Sequence, residues 1–357
     1  MVGNSNILGK CVTIGPEFIP PKGGIAQVIS NYKEYVFKND FHFIANSCTG
    51  SKIKKAMCAM LAVLKLVGLL LFNWQIKLVH IHTASYTSFV RSCLYLSISK
   101  AMGRKVIMHV HGGGFKDYFN DSKPYVIKNL RRCDCVVVLS DYWKRFMQEE
   151  VGLTNVEIVN NIIPKPELAS QPVGDGKIHA LFMGLLIHDK GIYDLIDALV
   201  DLKNQLTGHF MLHVCGTGET EAVKQRIREA GITELITLEG WVSGESKTQL
   251  MNKCDLFILP SYIEGLPLSI LEAMSYKMYV IATNVGSIPE VLGNTTFGEV
   301  INPGDKEALA ESIKQYSKLS KSELQSKTED AFDASRDYWP SSMQKQLVDI
   351  YEKLLVE

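Results

Sequence analysis

Short apolar runs alternate with amphipathic stretches along most of this 357-residue chain. Apolar runs of about four to eight residues are typical of buried strands, and apolar positions that repeat about every 3.6 residues are typical of helices. The strand-like runs of the first half are Lys10–Gly15, Leu78–His82, Lys105–Val110, Cys135–Leu139 and Val156–Val159. Those of the second half are Ala180–Gly184, His209–Cys215, Ile236–Leu238, Asp255–Leu259, Met278–Ala282 and Gly298–Ile301.

Helix-like stretches separate these strands. In the first half, one begins at Gly23-Gly24, one ends over Leu94–Ala101, and one follows Ser140, a good N-cap residue. The second half has such stretches at about 191–204, 219–230, 244–253, 266–276 and 306–318. This alternation predicts an α/β fold with parallel sheets covered on both faces.

Proline and glycine concentrate between residues 160 and 177, which predicts an interdomain linker. We therefore expect two Rossmann-like domains, over residues 1–165 and 166–335, facing across a cleft that is the default ligand site. Residues 336–357 contain one more amphipathic helix. Its apolar positions are Met343, Leu347, Ile350, Tyr351, Leu354 and Leu355.

The net charge of the chain is zero, but the charge is unevenly distributed. Residues 1–165 hold 21 Lys/Arg and 10 Asp/Glu, and the remainder holds 17 and 28 of the totals of 38 each. A first half at +11 and a second half at −11 indicate that the first half faces something anionic.

The eight cysteines contain no Cys-x-x-Cys pair, and no signal-peptide pattern precedes the first strand. Both features favour a reducing cytoplasm.

The most apolar segment is Ala56–Phe72, which follows two lysines and contains Lys65. It is shorter than the roughly 20 residues that a membrane span requires. Two interpretations remain open: a buried helix of the first domain, or a helix that rests on a membrane surface with its lysines near lipid headgroups.

Two glutamates, Glu264 and Glu272, flank a predicted strand-to-helix turn. Glu264 lies in the loop after the strand, and Glu272 lies one to two turns into the next helix. A helix N-terminus exposes unpaired N–H groups and suits a phosphate, so the two carboxylates are free to bind hydroxyls. A nucleotide sugar has hydroxyls on both sides of its diphosphate, so this arrangement predicts a site for a nucleotide sugar.

Several stretches together resemble family 4 of the retaining glycosyltransferases, which have the GT-B fold. They are Glu264 with Glu272, the loop from Gly184 through Lys190-Gly191, the turn Gly216-Thr217-Gly218, the loop glycines Gly23-Gly24, the strand-end His111, and Tyr338-Trp339 before the last helix. The resemblance implies that the first domain binds the acceptor and the second binds the nucleotide sugar. It also implies that the last helix crosses back to the first domain.

The resemblance implies specific roles. Lys190 would stabilise the donor diphosphate, Glu264 would bind the transferred sugar, Glu272 would bind the ribose, and His111 would lie near the reacting carbon. The remaining donor-binding candidates are Gly23, Gly24, Gly216, Gly265, Leu266, Pro267 and Leu268. A structural role is the alternative for each: an ion pair or cap for the glutamates, a surface position for Lys190, a strand end for His111, and a tight turn for Gly23-Gly24.

The expected activity is transfer of a sugar from a UDP- or GDP-sugar to a hydroxyl of a lipid-linked glycan, with retention of configuration. No Asp-x-Asp occurs, and no His or Cys spacing is typical of zinc, so we expect no metal and no cofactor.

Leu185 departs from the family, many members of which carry an arginine there. The alternatives are a GT-B epimerase, a phosphorylase, or a silent binding subunit. We expect a cytoplasmic protein, peripheral to the inner membrane face, with no nucleic-acid partner.

Overall fold

The structure, a computed structural model, describes residues 7–169 and 175–356. The chain forms two compact units, Met1–Ile163 with Tyr338–Glu357, and Pro164–Asp337. Residues 170–174 of the predicted linker, and the first six residues, where we expect no signal peptide, lie outside the described residues.

The first unit is a six-stranded parallel sheet in the order β2-β1-β3-β4-β5-β6. Its strands are β1 (Cys11–Pro16), β2 (His42–Ser47), β3 (Leu78–Thr83), β4 (Lys105–Val110), β5 (Cys135–Val138) and β6 (Val156–Ile158). Its helices are α1 (Gly24–Asn31), α2 (Lys52–Phe72), α3 (Thr87–Ala101), α4 (Phe115–Leu130) and α5 (Asp141–Glu149). The hydroxyl of Ser140 accepts the N–H of Trp143, which confirms the predicted cap of α5.

The second unit is a parallel sheet in the order β12-β11-β10-β7-β8-β9. Its strands are β7 (Ile178–Met183), β8 (Phe210–Cys215), β9 (Ile236–Gly240), β10 (Leu256–Leu259), β11 (Tyr279–Thr283) and β12 (Gly298–Ile301). Its helices are α6 (Ile192–Asp201), α7 (Lys203–Leu206), α8 (Thr220–Glu229), α9 (Gly244–Lys253), α10 (Leu268–Ser275), α11 (Ile288–Leu292), α12 (Lys306–Tyr316) and α13 (Lys321–Ser335). Shorter helical turns cover Tyr32–Phe37, Lys38–Asp40, His188–Lys190 and Arg336–Tyr338.

Every strand predicted from the sequence overlaps an observed strand, but the edge strand β2 was not predicted. Polar residues such as His42 and Asn46 interrupt its apolar pattern. An edge strand has only one paired neighbour, so it need not read as a continuous apolar run.

The last helix, α14 (Pro340–Val356), packs on the first unit, as the resemblance implied. Its buried residues are Met343, Leu347, Val348, Ile350, Tyr351 and Leu354. The hydroxyl of Tyr351 lies 2.5 Å from Nδ1 of His80 on β3, and Lys353 pairs with Glu157 on β6 at 3.2 Å. The segment that follows the second unit is therefore part of the core of the first.

The interpretation of Ala56–Phe72 as a buried core helix is wrong for most of its length. The helix α2 is 21 residues long, and only Ala62, Leu66 and Leu70 are buried. Among the described helices, α2 is the one long and apolar enough to cross a membrane. The length of α2 therefore does not exclude a membrane span, although the apolar segment Ala56–Phe72 alone is too short for one.

A column of four histidines runs through the core of the first unit. On β3, the imidazole ring of His80 stacks on that of His82 and on that of His109 of β4. The ring of His82 is tilted against that of His109, and the ring of His111 stacks on His109. Nε2 of His80 lies 3.2 Å from Nδ1 of His109. Burial lowers the pKa of His80 to about 3 and lowers the pKa values of His82 and His109 well below their ordinary value. These rings are therefore neutral in the folded protein at physiological pH.

We expect the protein to lose stability as the pH falls below about 6.5, the pKa of histidine in an unfolded chain. Below that pH the unfolded chain binds protons that the buried histidines do not, so the free energy of unfolding decreases by up to about 1.4 kcal/mol per pH unit for each histidine. Urea unfolding with EDTA between pH 8 and pH 4.5 measures this slope. His109→Leu should reduce the slope more than the control variant His188→Gln, which changes an exposed histidine. An equal slope in wild type and His109→Leu would contradict the assignment.

Candidate functional site

The second sheet changes direction between β7 and β10. The chain proceeds from β7 outward to β8 and β9, and from β10 in the opposite direction to β11 and β12. Loops that leave such a point in opposite directions open a crevice at the carboxyl ends of the strands, where ligands bind in open α/β sheets. Lys190 lies in the loop after β7 and Glu264 in the loop after β10, so both predicted residues lie at this crevice.

Lys190 and Glu264 form an ion pair. The Nζ of Lys190 lies 2.5 Å from Oε1 of Glu264, and the two side chains are 22% and 9% exposed. The hydroxyl of Ser261 donates to the same carboxylate oxygen at 2.9 Å. Because Glu264 is largely shielded from water, this pair is screened less than a surface pair, and removing one partner would leave a charge without compensation.

The loop after β11 holds the loop of Glu264 in place. The N–H of Ser287 donates to the carbonyl of Gly265 at 2.9 Å. Gly286 has φ +55°, and a Cβ built there would overlap the carbonyl oxygen of Glu264. Position 286 therefore requires glycine both for its backbone conformation and for space. Gly286 was not among the residues predicted from the sequence, although a glycine after a buried strand is a recognisable signal.

Helix α10 begins directly after this loop. Pro267 precedes it in an extended conformation, and no side chain caps its N-terminus. Leu268 is its first residue, and Leu266 is buried below it. The first N–H groups of α10 carry partial positive charge beside Glu264, an arrangement suited to an anionic group.

Glu272 lies in α10 and is 7% exposed. The Nζ of Lys247, on α9, donates to its Oε1 at 2.7 Å. Lys247 was not predicted from the sequence, because a lysine in a polar helix has no distinguishing pattern around it. Each predicted glutamate is thus paired with an ammonium group from another element. The alternative role of these glutamates, an ion pair, is therefore observed, and an ion pair does not exclude ligand binding.

The turn after β8 contacts the loop after β7. Gly216 has φ +151°, and a Cβ built there would overlap the carbonyl oxygen of Gly184. The N–H of Leu186 donates to the carbonyl of Thr217 at 2.9 Å. Gly216 therefore allows these two loops to touch, and its role in donor binding stays a prediction.

Leu185 lies on the loop after β7 and is 48% exposed. An apolar side chain is therefore presented to solvent five residues before Lys190. Lys247 supplies a second ammonium group next to Glu272, so this edge of the sheet holds two cations without an arginine at position 185.

The first sheet changes direction between β1 and β3, and the residues predicted in this unit lie at its carboxyl edge. Gly23 lies in the loop after β1 and Gly24 is the first residue of α1, and a Cβ at either position would meet no atom within 4 Å. His111 directly follows β4, and its Nε2 lies 2.8 Å from Nδ1 of His82. The inner nitrogen of His111 is therefore occupied, which leaves Nδ1 for another partner.

Within the described residues, His80, His82 and His109 place one nitrogen each within 4.8 Å of the others. Three neutral imidazoles are a ligand set that can hold zinc. The sequence did not indicate this cluster, because its members come from two strands that are distant along the chain. The expectation of no metal stays a prediction.

Two sets of predicted residues are therefore assembled. Lys190, Glu264, the segment from Gly265 to Leu268, and Glu272 lie together in the second unit, with Gly216 on an adjoining turn. Gly23, Gly24 and His111 lie on the loops at one edge of the first sheet.

Two family models match this chain. The model described as Glycosyltransferase Family 4 matches residues 52–165, and the model described as Glycosyl transferases group 1 matches residues 166–331. Together they cover most of both units without a break. The chain belongs to glycosyltransferase family 4.

Solved structures share the fold of this chain. The family 4 chain resembles the sucrose-phosphate synthase of Thermosynechococcus elongatus with a TM-score of 0.79 and 14% identity, over 97% of this chain and 99% of that one. It resembles Anabaena HepE, solved with UDP and glucose, with a TM-score of 0.77 and 17% identity, over 97% and 100% of the two chains. These likenesses confirm the GT-B fold.

One curated relative of this family 4 protein is WcaL of Escherichia coli K12, which is named for colanic acid biosynthesis. The two are 23% identical over 223 residues, which cover 58% of this chain and 54% of the relative. The match thus spans about half the length of that relative.

Removing Lys190 should damage both stability and turnover. Lys190→Met leaves the carboxylate of Glu264 unpaired and should lower the free energy of unfolding by about 1–3 kcal/mol. Adding Glu264→Gln should restore part of that loss, whereas turnover of the donor should be low in both single variants and in the double variant. Urea titration and release of nucleoside diphosphate measure the two effects.

The exposed pair of Glu311 and Lys314 is the control for this cycle, and its coupling should be much weaker than that of Lys190 and Glu264. Near-normal turnover in the double variant would show that the pair of Lys190 and Glu264 serves stability alone.

Gly286→Ala should displace the loop that carries Glu264, because the new methyl group overlaps its carbonyl. We expect at least a tenfold loss of donor turnover, in line with the cost of small misplacements in active sites. Gly208→Ala is the matched control, since Gly208 also has a positive φ, +84°, but has open space around it. Equal losses in the two variants would mean that backbone strain, and not the position of Glu264, explains the effect.

Proposed function

We propose that this protein is a retaining, metal-independent glycosyltransferase. It moves a hexose from a UDP- or GDP-sugar to a hydroxyl of a lipid-linked glycan during synthesis of a bacterial surface polysaccharide. It works in the cytoplasm, at the inner face of the membrane.

The observation that carries this proposal is the arrangement of charges at the crevice of the second sheet. Glu264 lies just before the uncapped N-terminus of α10, Glu272 lies inside that helix, and each carboxylate is paired with an ammonium group. A nucleotide sugar has this same order of groups: hydroxyls of the sugar, a diphosphate, and hydroxyls of the ribose. Glu264 would bind the sugar, the helix terminus and Lys190 the diphosphate, and Glu272 the ribose.

In the proposed reaction the acceptor oxygen forms a bond to the anomeric carbon on the face from which the diphosphate leaves. The bond from that carbon to the phosphate oxygen breaks, and a leaving phosphate oxygen takes the acceptor proton. Lys190 stabilises the negative charge that develops on the diphosphate. No side chain acts as a covalent nucleophile, so the donor configuration is retained by same-face attack.

The relatives support the choice of substrates. Anabaena HepE was solved with UDP and glucose, and WcaL is named for colanic acid biosynthesis. The excess of positive charge in residues 1–165 also suits an acceptor that carries phosphate.

A panel of UDP- and GDP-sugars tests the donor site. Donors that carry one of the two bases should raise the melting temperature of the protein. A ligand at 100 times its Kd adds about 2.7 kcal/mol to the free energy of unfolding. That donor should be hydrolysed slowly with EDTA present, and NMR of a transferred product should show the donor's anomeric configuration.

Glu272→Ala should remove most of the thermal shift, and Glu245→Ala, an exposed glutamate of α9, should not. Conversion of the donor sugar without release of nucleoside diphosphate would indicate an epimerase, and dependence on inorganic phosphate a phosphorylase. A shift without turnover would indicate the silent subunit that Leu185 suggests, and no shift with any donor would refute the proposed site.

A further inference from the structure

Helix α2 presents an exposed apolar stripe along its outer side. The stripe consists of residues at spacings of four, three, four and seven, which places them on one face of a helix. Its members are Ile53, Met57, Met60, Leu64 and Leu71, and each is between 53% and 74% exposed. The opposite face is also apolar, because Ala62, Leu66 and Leu70 are buried against the unit.

A surface helix of a soluble protein has one apolar stripe, which faces the core. A second stripe that faces outward requires a second apolar environment. The exposed stripe continues into Phe72 and Trp74 at the end of the helix, which are 87% and 76% exposed. Aromatic residues at such a boundary are typical of a membrane interface.

The neighbouring helix α3 extends this surface. The hydroxyl of Tyr95 on α3 donates to the carbonyl of Ala59 on α2 at 3.2 Å, so the two helices are in contact. Tyr86, just before α3, and Val90 and Leu94 on it follow each other at intervals of four residues, and each is about half exposed.

The charge of this region has a single sign. Residues 41–116 contain no aspartate or glutamate, whereas their basic residues are Lys52, Lys54, Lys55, Lys65, Lys77, Arg91, Lys100, Arg104, Lys105 and Lys116. The four lysines of α2 are exposed and form no ion pair with any described residue. At about 100° per residue, Lys54 and Lys65 lie on the flank of the exposed stripe. A long lysine stem can lie along an apolar surface there while its ammonium group reaches outward.

We propose that this face, which we call the α2 face and define as the five stripe residues with Lys54 and Lys65, docks on an anionic phospholipid bilayer. The stripe enters the acyl boundary and the lysines bind headgroup phosphates. Because the proposal rests on α2 alone, it does not depend on the donor site or on the reaction proposed above.

Two features of the fold favour this mode over the alternatives. The chain enters α2 from β2 and leaves it to β3 of the same sheet, and Arg104 donates to the carbonyl of Leu70 at 3.0 Å. These connections hold α2 along the domain, so it lies on a bilayer rather than across it. A second copy docked on the same face would bring like-charged lysines together without a described counter-charge.

Flotation of the full chain with vesicles tests the proposal. Binding should be strong on vesicles of 70% phosphatidylcholine and 30% phosphatidylglycerol and weak on phosphatidylcholine alone. Since each lysine near an anionic surface contributes roughly fivefold, Lys54→Gln/Lys65→Gln should weaken binding to the anionic vesicles by roughly 25-fold. Met57→Gln/Leu64→Gln should weaken binding to both kinds of vesicle.

Matched controls are Lys224→Gln/Lys318→Gln and Val200→Gln, at exposed positions of the second unit, which should bind as wild type does. All variants should keep the wild-type melting temperature, because the replaced side chains are exposed. Unchanged binding of the α2 variants, or no preference for anionic vesicles, would overturn the proposal. So would resistance to alkaline carbonate extraction, which indicates a span, or lipid-free dimerisation that Met57→Gln/Leu64→Gln abolishes.

Discussion

The ion pair between Lys190 and Glu264 depends on a constraint of the parallel sheet. Strands β7 and β10 are neighbours in space although more than seventy residues separate them, and the chain leaves them in opposite directions. Their loops therefore meet at one edge, and a lysine from one loop reaches a carboxylate from the other. The adjoining loop after β11 and the start of α10 complete the crevice. The order of the strands therefore brings together the residues of the proposed donor site.

The first unit has a different internal organisation. Its sheet is crossed by imidazole rings that are neutral because burial disfavours their charged form. The rings form hydrogen bonds with one another and with Tyr351 of the last helix, which follows the second unit in the sequence. The end of the chain therefore belongs to the core of the first unit, and a truncation there would expose apolar surface and leave His80 without its hydroxyl partner.

The two units also differ in charge, in a way that fits a division of roles. The second unit places carboxylates and ammonium groups in pairs at a small crevice, which suits a compact polar ligand. The first unit carries the excess of lysine and arginine and the exposed stripe of α2, which suits an extended anionic surface. The two proposals together describe one chain that recognises a soluble nucleotide sugar and attaches to an anionic membrane surface.

The sequence by itself determined the α/β class, eleven of the strands and the position of Glu264 and Glu272 around a strand-to-helix turn, because these follow from local periodicity and short spacing. It could not determine the edge strand β2, whose pattern is broken by polar residues. Only the tertiary structure decided that Lys247 and Gly286 adjoin the two glutamates, that four histidines form one column, and that α2 lies outside the core. Each of these depends on contacts between residues distant along the chain, and a local pattern carries no information about which distant surface a side chain will meet.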